Sequence, residues 1–560
     1  MSTKQAPNRY EVPAAERQAA VAAGVAPENT GLAILRVVRA HGVDTIFGIP
    51  GTHNLEFYRH LPRLGMRAIT TRHEQGAGYA ADAWAQRTDL PGVVIATSGP
   101  GLLNALSSAG TAYCESRPML ILAPGPARGS VRSRVGTLHE TKNQVGAAAA
   151  VVDMAVRVSS AEEAVEAVHA AFEVFHGPRP RPVYIEVPLD LLEEAASFAD
   201  EELAARAPTV VNPAPAAAIQ TAAELLLSAQ RPAILAGRGS RKARKQLRAL
   251  AERLGAPVVT SSNGKGVIPE SHPLAVGAEL RLSPAVGVLE DADVLLVVGS
   301  KVAIGEFSAG PLVPSGAVIR IDADAQQVDV GLAVTHGIVG RSEIEVPRLL
   351  ESVLCGPADR AAAEPWCDVA QVRAACTSEA MATSGASVRV AARIVSAFPP
   401  GVIVTGDSSQ ISYNGIAEAF KADSPGECIN MITYATLGYG VPAAIGVKLA
   451  SPDRPVVCVT GDGALMFSVV ELLTAAEQGL DITVVCVDNG GYGEIQQNEE
   501  DRGIAPIAVQ LTQPDWPVLA RALGGAGFAV DEESEIESVV AKAIATPGVS
   551  LVHVPMHLFA

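Results

Sequence analysis

The chain has 560 residues, of which 48% are hydrophobic and 18% are charged, and its formal net charge is -17. This length predicts two to four domains, and the composition is typical of a globular protein rather than a disordered one. The negative charge argues against a nucleic-acid partner, because phosphate binding requires clustered Lys and Arg.

The sequence also lacks the usual signals for export or membrane insertion. No apolar run reaches the roughly 18 residues that a membrane-spanning helix needs. The N-terminal segment carries charges where a signal peptide needs an apolar core. Seven cysteines lie scattered with no C-x-x-C pair, which argues against a disulfide framework or a cysteine-rich zinc site. We therefore predict a cytoplasmic protein without a membrane partner.

The first part of the chain predicts an α/β domain behind a short arm. Residues 1–28 are rich in Ala and contain three prolines, and they predict an N-terminal arm. Residues 29–195 alternate helical patterns, such as 76–86 and 161–175, with apolar runs typical of strands. Those runs lie at 45–49, 68–71, 93–97, 119–123 and 183–187. Such alternation predicts a parallel sheet.

The pattern repeats twice more. A Pro- and Ala-rich linker at 196–218 precedes a second α/β domain at 219–352, with strands predicted at 233–235, 258–260, 293–298 and 318–321. A second linker at 353–385 precedes a third domain at 386–560, which opens with a helix at 388–398 and a strand at 402–405. The predicted fold class is therefore α/β, with three successive doubly wound parallel-sheet domains.

Polar residues collect at two strand ends in the third domain. Runs at 456–460 and 482–487 predict strands, and residues 468–478 between them have helical spacing. Asp462 follows the first strand and Asn489 follows the second, so both lie where parallel sheets bind ligands. A carboxylate, an amide oxygen and a free loop carbonyl are suitable Mg²⁺ ligands when phosphate oxygens complete the coordination. This stretch predicts a clamp for a metal and a diphosphate.

The Gly-Asp-Gly turn at 461–463 with Asn489 resembles the motif of thiamine diphosphate enzymes, in the family of acetolactate synthase, benzoylformate decarboxylase and pyruvate decarboxylase. The resemblance implies pyrimidine-binding, middle and diphosphate-binding domains, with thiamine diphosphate and Mg²⁺ as cofactors. It implies Asp462, Asn489 and Gly491 as metal ligands, although this chain has Asp488 where relatives usually have the first of two asparagines. Further implied cofactor contacts are Asp407, Ser408, Ser409, Gln410, Gly461, Gly463, Ala464 and Tyr492.

The family resemblance extends to both other parts of the cofactor site. Glu74, in Arg-His-Glu at 72–74, matches the glutamate that bonds the aminopyrimidine and promotes loss of the thiazolium C2 proton. Its alternative role is that of a helix N-terminal glutamate stabilised by the macrodipole. Leu437 matches the apolar wedge between the cofactor rings, or is a core residue, and Ala435 would offer its carbonyl to the 4′-amino group. Because Glu74 and Asp462 lie in different domains, the resemblance implies a homodimer as the minimum unit and a homotetramer as the assembly.

The middle domain gives no sequence support for a flavin. Residues 237–240, Gly-Arg-Gly-Ser, lack the third glycine of a dinucleotide fingerprint and predict an ordinary turn. Flavin-binding relatives have Gly-Met-His-Gly and Arg-Phe-Asp-Asp-Arg segments, whereas the corresponding places here read Gly-Ala-Glu-Leu at 277–280 and Lys-Val-Ala-Ile at 301–304. FAD is therefore not expected.

Four residues of the first domain are candidates for contact with the substrate. Thr52 matches a serine of benzoylformate decarboxylase, but the catalytic histidine of that enzyme is absent from 97–101, which reads Thr-Ser-Gly-Pro-Gly. The histidine pair of pyruvate decarboxylase is also absent, because 123–133 contains none. Proton relays would then come from His53 or His139, unless these are hydrogen-bonded loop residues. Gln144 is a further candidate substrate contact.

An acidic segment follows the clamp. Residues 493–502 contain four carboxylates, which would attract a cationic side chain, or would form a solvated helix face. Gly-Tyr-Gly-Glu-Ile at 491–495 and Gly-Thr-His-Asn-Leu-Glu at 51–56 resemble the 2-ketoarginine (5-guanidino-2-oxopentanoate) decarboxylases. That likeness implies Glu494 as a substrate contact, since carboxylates pair well with guanidinium.

The resemblance thus implies non-oxidative decarboxylation of a small 2-oxo acid with a cationic side chain, which releases an aldehyde and CO₂. Two alternatives stay open. One is an acetolactate synthase-like carboligase, which joins an enamine from pyruvate to a second carbonyl. The other is a non-catalytic homologue that only binds the cofactor.

Overall fold

Three parallel sheets form the frame of the protein. A computed structural model describes residues 28–131, 134–308, 310–356 and 364–559, so the predicted arm lies almost wholly outside the described residues. Within these ranges the strands form three six-stranded sheets, and every pairing between them is parallel. The predicted α/β fold class is therefore confirmed.

The first sheet has the order β2-β1-β3-β4-β6-β5. Its strands are β1 (Thr45–Gly48), β2 (Arg67–Thr70), β3 (Gly92–Ile95), β4 (Met119–Gly125), β5 (Met154–Arg157) and β6 (Pro182–Pro188). Its helices are α1 (Thr30–Ala40), α2 (Leu55–Tyr58), α3 (Glu74–Thr88), α4 (Pro100–Cys114), α5 (Gln144–Ala148), α6 (Ala161–His176) and α7 (Leu189–Glu193), with a 3-10 turn at Pro62–Leu64.

The second sheet has the order β12-β11-β10-β7-β8-β9. Its strands are β7 (Pro232–Ala236), β8 (Val258–Thr260), β9 (Ala275–Gly277), β10 (Val294–Val298), β11 (Ala317–Asp322) and β12 (His336–Val339). Its helices are α8 (Ala216–Ser228), α9 (Arg244–Leu254), α10 (Ser283–Glu290) and α11 (Ser342–Leu354), with 3-10 turns at Arg238–Ala243, Ser262–Gly264 and Ile304–Glu306. The Gly-Arg-Gly-Ser segment forms the first of these turns, as predicted.

The third sheet has the order β14-β13-β15-β16-β18-β17. Its strands are β13 (Ile403–Gly406), β14 (Cys428–Ile429), β15 (Val456–Gly461), β16 (Ile482–Asp488), β17 (Ala526–Ala529) and β18 (Val549–Pro555). Its helices are α12 (Val369–Ser396), α13 (Ala417–Ala419), α14 (Gly440–Ala450), α15 (Asp462–Leu465), α16 (Glu471–Glu477), α17 (Gly493–Asp501), α18 (Trp516–Ala522) and α19 (Ile536–Ile544). A π-helix spans Ile411–Ile416, and 3-10 turns lie at Glu533–Glu535 and Met556–Phe559.

Each sheet has a hydrophobic core on both faces. In the first sheet, Ile46 belongs to one buried cluster and its neighbour Phe47 to the other. Successive strand residues point to opposite faces, so these apolar runs need helices on both sides of the sheet. None of the described helices is both long and apolar enough to cross a membrane.

The second predicted linker, residues 353–385, is partly helical. Helix α12 begins at Val369 and continues to Ser396, with non-helical backbone at Ser384, where φ is -144° and ψ is 35°. The Ala-rich composition that suggested a linker also favours a helix. Ala380 and Cys376 from its first half are buried against the second domain. Residues 369–385 of the predicted linker therefore belong to a packed helix that enters the third domain through a kink, and residues 357–363 lie outside the described part of the chain.

The first and third domains meet where helix α3 packs on helix α14. A Cβ atom at Gly446 would lie 2.0 Å from the carbonyl oxygen of Ala80, so only glycine permits this approach. Beside this contact the buried guanidinium of Arg117 donates to Asp82 at 2.6 Å, and the hydroxyl of Tyr439 donates to the same carboxylate at 2.5 Å. The joint holds helix α3 against the third domain.

Gly446→Ala should test this joint. The added methyl collides with backbone, so overpacking should destabilise the protein by about 1–3 kcal/mol and lower the thermal midpoint by several degrees. Gly287→Ala is the matched control, because it lies within helix α10 with no atom within 4 Å of the new methyl. Scanning calorimetry of both variants checks this. An unchanged midpoint for Gly446→Ala would show that the helices can separate without cost.

Candidate functional site

Three neighbouring strands of the third sheet end in the loops that contain the predicted cofactor residues. Strands β13, β15 and β16 are adjacent and parallel, so their carboxyl ends share one edge. The loop after β13 contains residues 407–410, Asp462 begins the short helix after β15, and residues 489–492 follow β16. The sheet therefore brings the third-domain candidates together.

Three oxygen atoms converge in this loop cluster. The side-chain oxygen of Asn489 lies 3.1 Å from Oδ1 of Asp462 and 2.9 Å from the carbonyl oxygen of Gly491. Turning the amide would replace this contact by hydrogen bonds, but three facing oxygens suit a cation. Adjacent ligands of an octahedral Mg²⁺ ion, bound at about 2.1 Å, are themselves about 3.0 Å apart. The donor set therefore fits a small divalent cation.

The second carboxylate oxygen of Asp462 is an unsatisfied acceptor. Oδ2 is buried and has no hydrogen-bond partner among the described residues. Burial, and then the charge of Asp488, raise the pKa of Asp462 to about 6. An uncompensated buried carboxylate is costly, and a bound cation would relieve that cost.

Asp488, which replaces the usual asparagine, supports the loop instead. Its carboxylate accepts hydrogen bonds from the backbone N-H of Gly490 at 2.9 Å and the indole of Trp516 at 3.2 Å, and His553 Nε2 lies 3.0 Å away. Burial raises the pKa of Asp488, but these contacts outweigh it and leave the pKa below its usual value.

Asp407 braces the opposite side of the cluster. It is 1% exposed, and its carboxylate accepts hydrogen bonds from the Ser409 hydroxyl at 2.6 Å and from Thr460. The Ser409 hydroxyl in turn accepts the N-H of Gly461 at 3.1 Å. Asp407 thus joins the loops after β13 and β15.

The remaining third-domain candidates surround these loops. Ser408 is partly exposed, Ala464 is buried, and Tyr492 lies against Gly463, where a Cβ would come 3.0 Å from the ring. The amide of Gln410 donates to Oε2 of Glu494 at 2.9 Å. Glu494 is exposed at the start of helix α17 and follows Gly493, where a Cβ would lie 2.3 Å from the amide of Asn489.

The loop before helix α14 carries the predicted wedge. Ala435 has a left-handed backbone, with φ of 53°, a strained conformation for a residue other than glycine. Leu437 is only partly buried and precedes the first residue of the helix, Gly440. The hydroxyls of Thr436 and Tyr79 lie 2.7 Å apart and fix this loop to the first domain. Leu437 is therefore an apolar residue with a partly open side, not a fully enclosed core residue.

Glu74 lies at the carboxyl edge of the first sheet. It begins helix α3 just after strand β2, is 8% exposed, and accepts a hydrogen bond from the amide of Asn104 at 3.0 Å. One carboxylate oxygen is therefore held by the protein.

Two predicted histidines meet at a serine. His53 Nδ1 lies 2.6 Å from the Ser98 hydroxyl, and His139 Nδ1 lies 3.4 Å from the same oxygen. The two imidazole rings are 5.0 Å apart in an edge-to-face arrangement. Burial, and then the charge of His139, lower the pKa of His53. This geometry gives a His-Ser-His chain in which neutral imidazole can accept a proton.

Gln144 supports the His-Ser-His arrangement through Gly99, the residue after Ser98. It is 4% exposed, and its oxygen accepts the N-H of Gly99 at 2.6 Å while its nitrogen donates to Tyr184 at 2.7 Å and Glu186 at 3.0 Å. Gly99 has φ of 63°, and a Cβ there would lie 2.7 Å from the carbonyl oxygen of His139. Gln144 thus holds the 97–101 loop in place, and both its side-chain oxygen and its side-chain nitrogen already have hydrogen-bond partners within the protein. Thr52, in contrast, is exposed.

The two groups of candidates are connected through Glu471, which sequence reasoning missed. This residue of helix α16 is 1% exposed, and its carboxylate accepts the N-H groups of Arg72 and His73, each at 3.1 Å. These amides directly precede Glu74. Among the described residues, no hydrogen bond joins Glu74 itself to Asp462 or Asn489.

Ser98, Asn104 and Tyr413 were also missed. Ser98 is the second residue of the 97–101 segment, and Asn104 lies one helical turn into α4. Tyr413 lies in the π-helix and donates to Glu494 at 2.6 Å. Ser98 directly follows the predicted strand at 93–97, so a polar residue at that strand end was the signal that could have found it, whereas Tyr413 lies eight residues beyond the predicted strand at 402–405.

A separate cavity of about 340 Å³ lies between the first and middle domains. Its lining is rich in charge and includes Arg238, Arg241, Lys301 and Glu306. Burial raises the pKa of Glu306 to about 7. Lys301 opens the 301–304 segment, whose sequence departs from that of flavin-binding relatives, and the expected absence of FAD stays a prediction.

Comparison with known proteins accounts for this arrangement. Three family models match, described as Thiamine pyrophosphate enzyme, N-terminal TPP binding domain, at 28–148, central domain, at 219–349, and C-terminal TPP binding domain, at 381–554.

Curated relatives match along almost the whole chain. A probable 2-ketoarginine decarboxylase, AruI, of Pseudomonas aeruginosa is 36% identical over 94% of this chain and 94% of its own length. The acetolactate synthase isozyme 3 large subunit of Escherichia coli is 30% identical, with 91% of each chain covered. A probable acetolactate synthase large subunit of Methanococcus aeolicus is 28% identical over 92% of this chain and 90% of its own. The chain therefore belongs to the thiamine pyrophosphate enzyme family and has all three of its domains.

Proposed function

We propose that this protein is a thiamine diphosphate- and Mg²⁺-dependent decarboxylase of a 2-oxo acid with a guanidino side chain, which releases an aldehyde and CO₂. The observation that supports the substrate class is the position of Glu494, an exposed carboxylate three residues after Gly491 that is held by Gln410 and Tyr413. The similarity to a probable 2-ketoarginine decarboxylase supports the same substrate class.

The cofactor would be held by the loops at the edge of the third sheet. Asp462, Asn489 and the carbonyl of Gly491 would bind Mg²⁺ and through it the diphosphate. Leu437 would fill the space between the two rings, and the carbonyl of Ala435 would accept from the amino group. When bound, thiamine diphosphate supplies the nucleophilic carbon and the electron sink that decarboxylation needs.

The first domain would supply the acid-base groups. Glu74, whose other oxygen is held by Asn104, would hydrogen-bond the pyrimidine ring. His53, Ser98 and His139 would carry protons between solvent and the reacting carbon, because their side chains are in hydrogen-bond sequence. The lowered pKa of His53 keeps it neutral near pH 7 and able to accept a proton.

Two chains would make each site. Glu74 lies on the first domain and the cation ligands lie on the third, and Glu471 connects the two within one chain without joining their functional groups. We therefore infer a homodimer in which Glu74 of one subunit serves the cofactor of its partner, with a homotetramer as the expected assembly. A cytoplasmic location remains our prediction.

A panel of 2-oxo acids tests the reaction directly. With thiamine diphosphate and Mg²⁺, 5-guanidino-2-oxopentanoate should give CO₂ and aldehyde in equal amounts, and kcat/KM should exceed that for 2-oxohexanoate. Aldehyde and acyloin are scored separately by chromatography. Acyloin from pyruvate without aldehyde would instead identify a carboligase, and no product from any acid would identify a non-catalytic homologue.

Glu494→Lys should change specificity rather than chemistry. Charge reversal should raise KM for the guanidino acid about 100-fold, since disrupting a close charge pair costs on the order of 3 kcal/mol. KM for a neutral acid should change much less. Glu500→Lys is the control, because Glu500 is an exposed carboxylate on the same helix that accepts from Gln496. Equal effects on both acids would mean that Glu494 does not contact the side chain.

Cation binding should weaken in acid. The pKa of Asp462 is raised to about 6, so its carboxylate is charged at pH 7 to 8 and takes up a proton below pH 6. A proton then competes with the cation, and Mn²⁺ affinity should fall up to about tenfold for each pH unit below 6. Titration calorimetry with thiamine diphosphate present measures this. Asp462→Asn is the control for protonation of the diphosphate, and an identical pH slope in that variant would contradict the assignment.

A further inference from the structure

Tyr413, which bonds Glu494, lies in a π-helix. The loop after strand β13 continues into the π-helix Ile411–Ile416, a form found mostly as single turns, frequently at functional sites. Tyr413 is partly exposed, whereas the other five residues of this helix are buried. The carbonyl of Ser409 accepts the N-H groups of both Ser412 and Tyr413, at 2.9 and 3.1 Å. Tyr413 is thus fixed to the loop predicted to bind the diphosphate.

Tyr413 and Gln410 together bond one oxygen of Glu494. The hydroxyl donates at 2.6 Å and the amide at 2.9 Å, both to Oε2. Within the described part of the chain, Oε1 receives no hydrogen bond. Burial, and then the hydrogen bond to Glu494, raise the pKa of Tyr413, so its hydroxyl remains a donor at working pH. The arrangement fixes the carboxylate plane and leaves one acceptor oxygen open.

A cation from the middle domain fixes the other side of the ring. The guanidinium carbon of Arg281 lies 5.9 Å from the centre of the Tyr413 ring, within the range of a cation-π contact. Arg281 also donates to the side-chain oxygen of Asn414, the next residue of the π-helix. The Tyr413 ring therefore contacts Arg281, while its hydroxyl bonds Glu494.

We propose that Tyr413 is a positioning residue for specificity, which orients Glu494 so that Oε1 accepts an N-H of the substrate guanidinium. This rests on the proposed function, because it assigns a geometry to the carboxylate that would contact the side chain. A planar guanidinium gains more from a fixed carboxylate than a rotating ammonium does. Wild type should therefore prefer the guanidino acid over 6-amino-2-oxohexanoate.

Steady-state kinetics of Tyr413→Phe test the proposal. Loss of a hydrogen bond to a charged group should raise KM for 5-guanidino-2-oxopentanoate about tenfold, with kcat within about twofold of wild type. KM for 2-oxohexanoate should not change. Tyr113→Phe, which alters a tyrosine packed under Arg181 in the first domain, is the matched control and should leave both KM values unchanged.

Two further variants separate positioning from a structural role. In a double-mutant cycle, Tyr413→Phe combined with Glu494→Gln should be no worse than Glu494→Gln alone, because the tyrosine acts through that carboxylate. Replacing Tyr413 by 4-aminophenylalanine keeps an N-H donor in the same place and should restore wild-type KM. Thermal midpoints are measured for each variant.

The outcomes distinguish this proposal from the one on which it rests. If wild type does not decarboxylate the guanidino acid, the proposed function fails and the role of Tyr413 fails with it. If wild type does so but Tyr413→Phe has an unchanged KM, only the positioning role is wrong. Three other results would also overturn the positioning role. They are an equal rise in KM for charged and neutral acids, additive effects in the double-mutant cycle, and no recovery of KM with 4-aminophenylalanine.

Discussion

The site depends on one buried carboxylate whose hydrogen bonds join the third domain to the first. Glu471, on the helix that follows the Asp462 turn, accepts the two amides that directly precede Glu74. Burial raises its pKa, so those hydrogen bonds, together with that of Thr474, are what keep a charge tolerable there. Because helices α3 and α14 pack closely beside it, the Glu74 loop cannot shift independently of the third domain of its own chain.

The first and third domains each position a different group of side chains. The third sheet places oxygen donors and an oriented Glu494 at one edge, and the first sheet places Glu74 and a His-Ser-His chain at another. Each group is internally bonded, so its geometry is set before any ligand arrives. The middle domain contributes through Arg281, which reaches the π-helix. Under the proposed function, the chemistry common to the family and the selection of the substrate side chain would depend on different residues.

Periodicity predicted the three sheets, yet five edge strands, β5, β9, β12, β14 and β17, were not predicted. Edge strands such as β14, with two residues, or β5, which is only partly buried, lack the continuous apolar run of central strands. Strand β18 was also missed, although it is a buried central strand. Asp462, Asn489 and Glu74 could be proposed as site residues because motif spacing marks them. Glu471 and Tyr413 act through contacts with residues distant in sequence, which no local pattern shows.

The most direct measurement coexpresses two inactive variants, Glu74→Gln and Asp462→Asn. If Glu74 of one subunit serves the cation site of the other, a mixed dimer contains one site with both residues intact. Coexpression should then restore about a quarter of wild-type decarboxylase activity, because half of the dimers are mixed and half of their sites are intact. No recovery, in a preparation that native mass spectrometry shows to contain mixed dimers, would contradict a site shared between subunits.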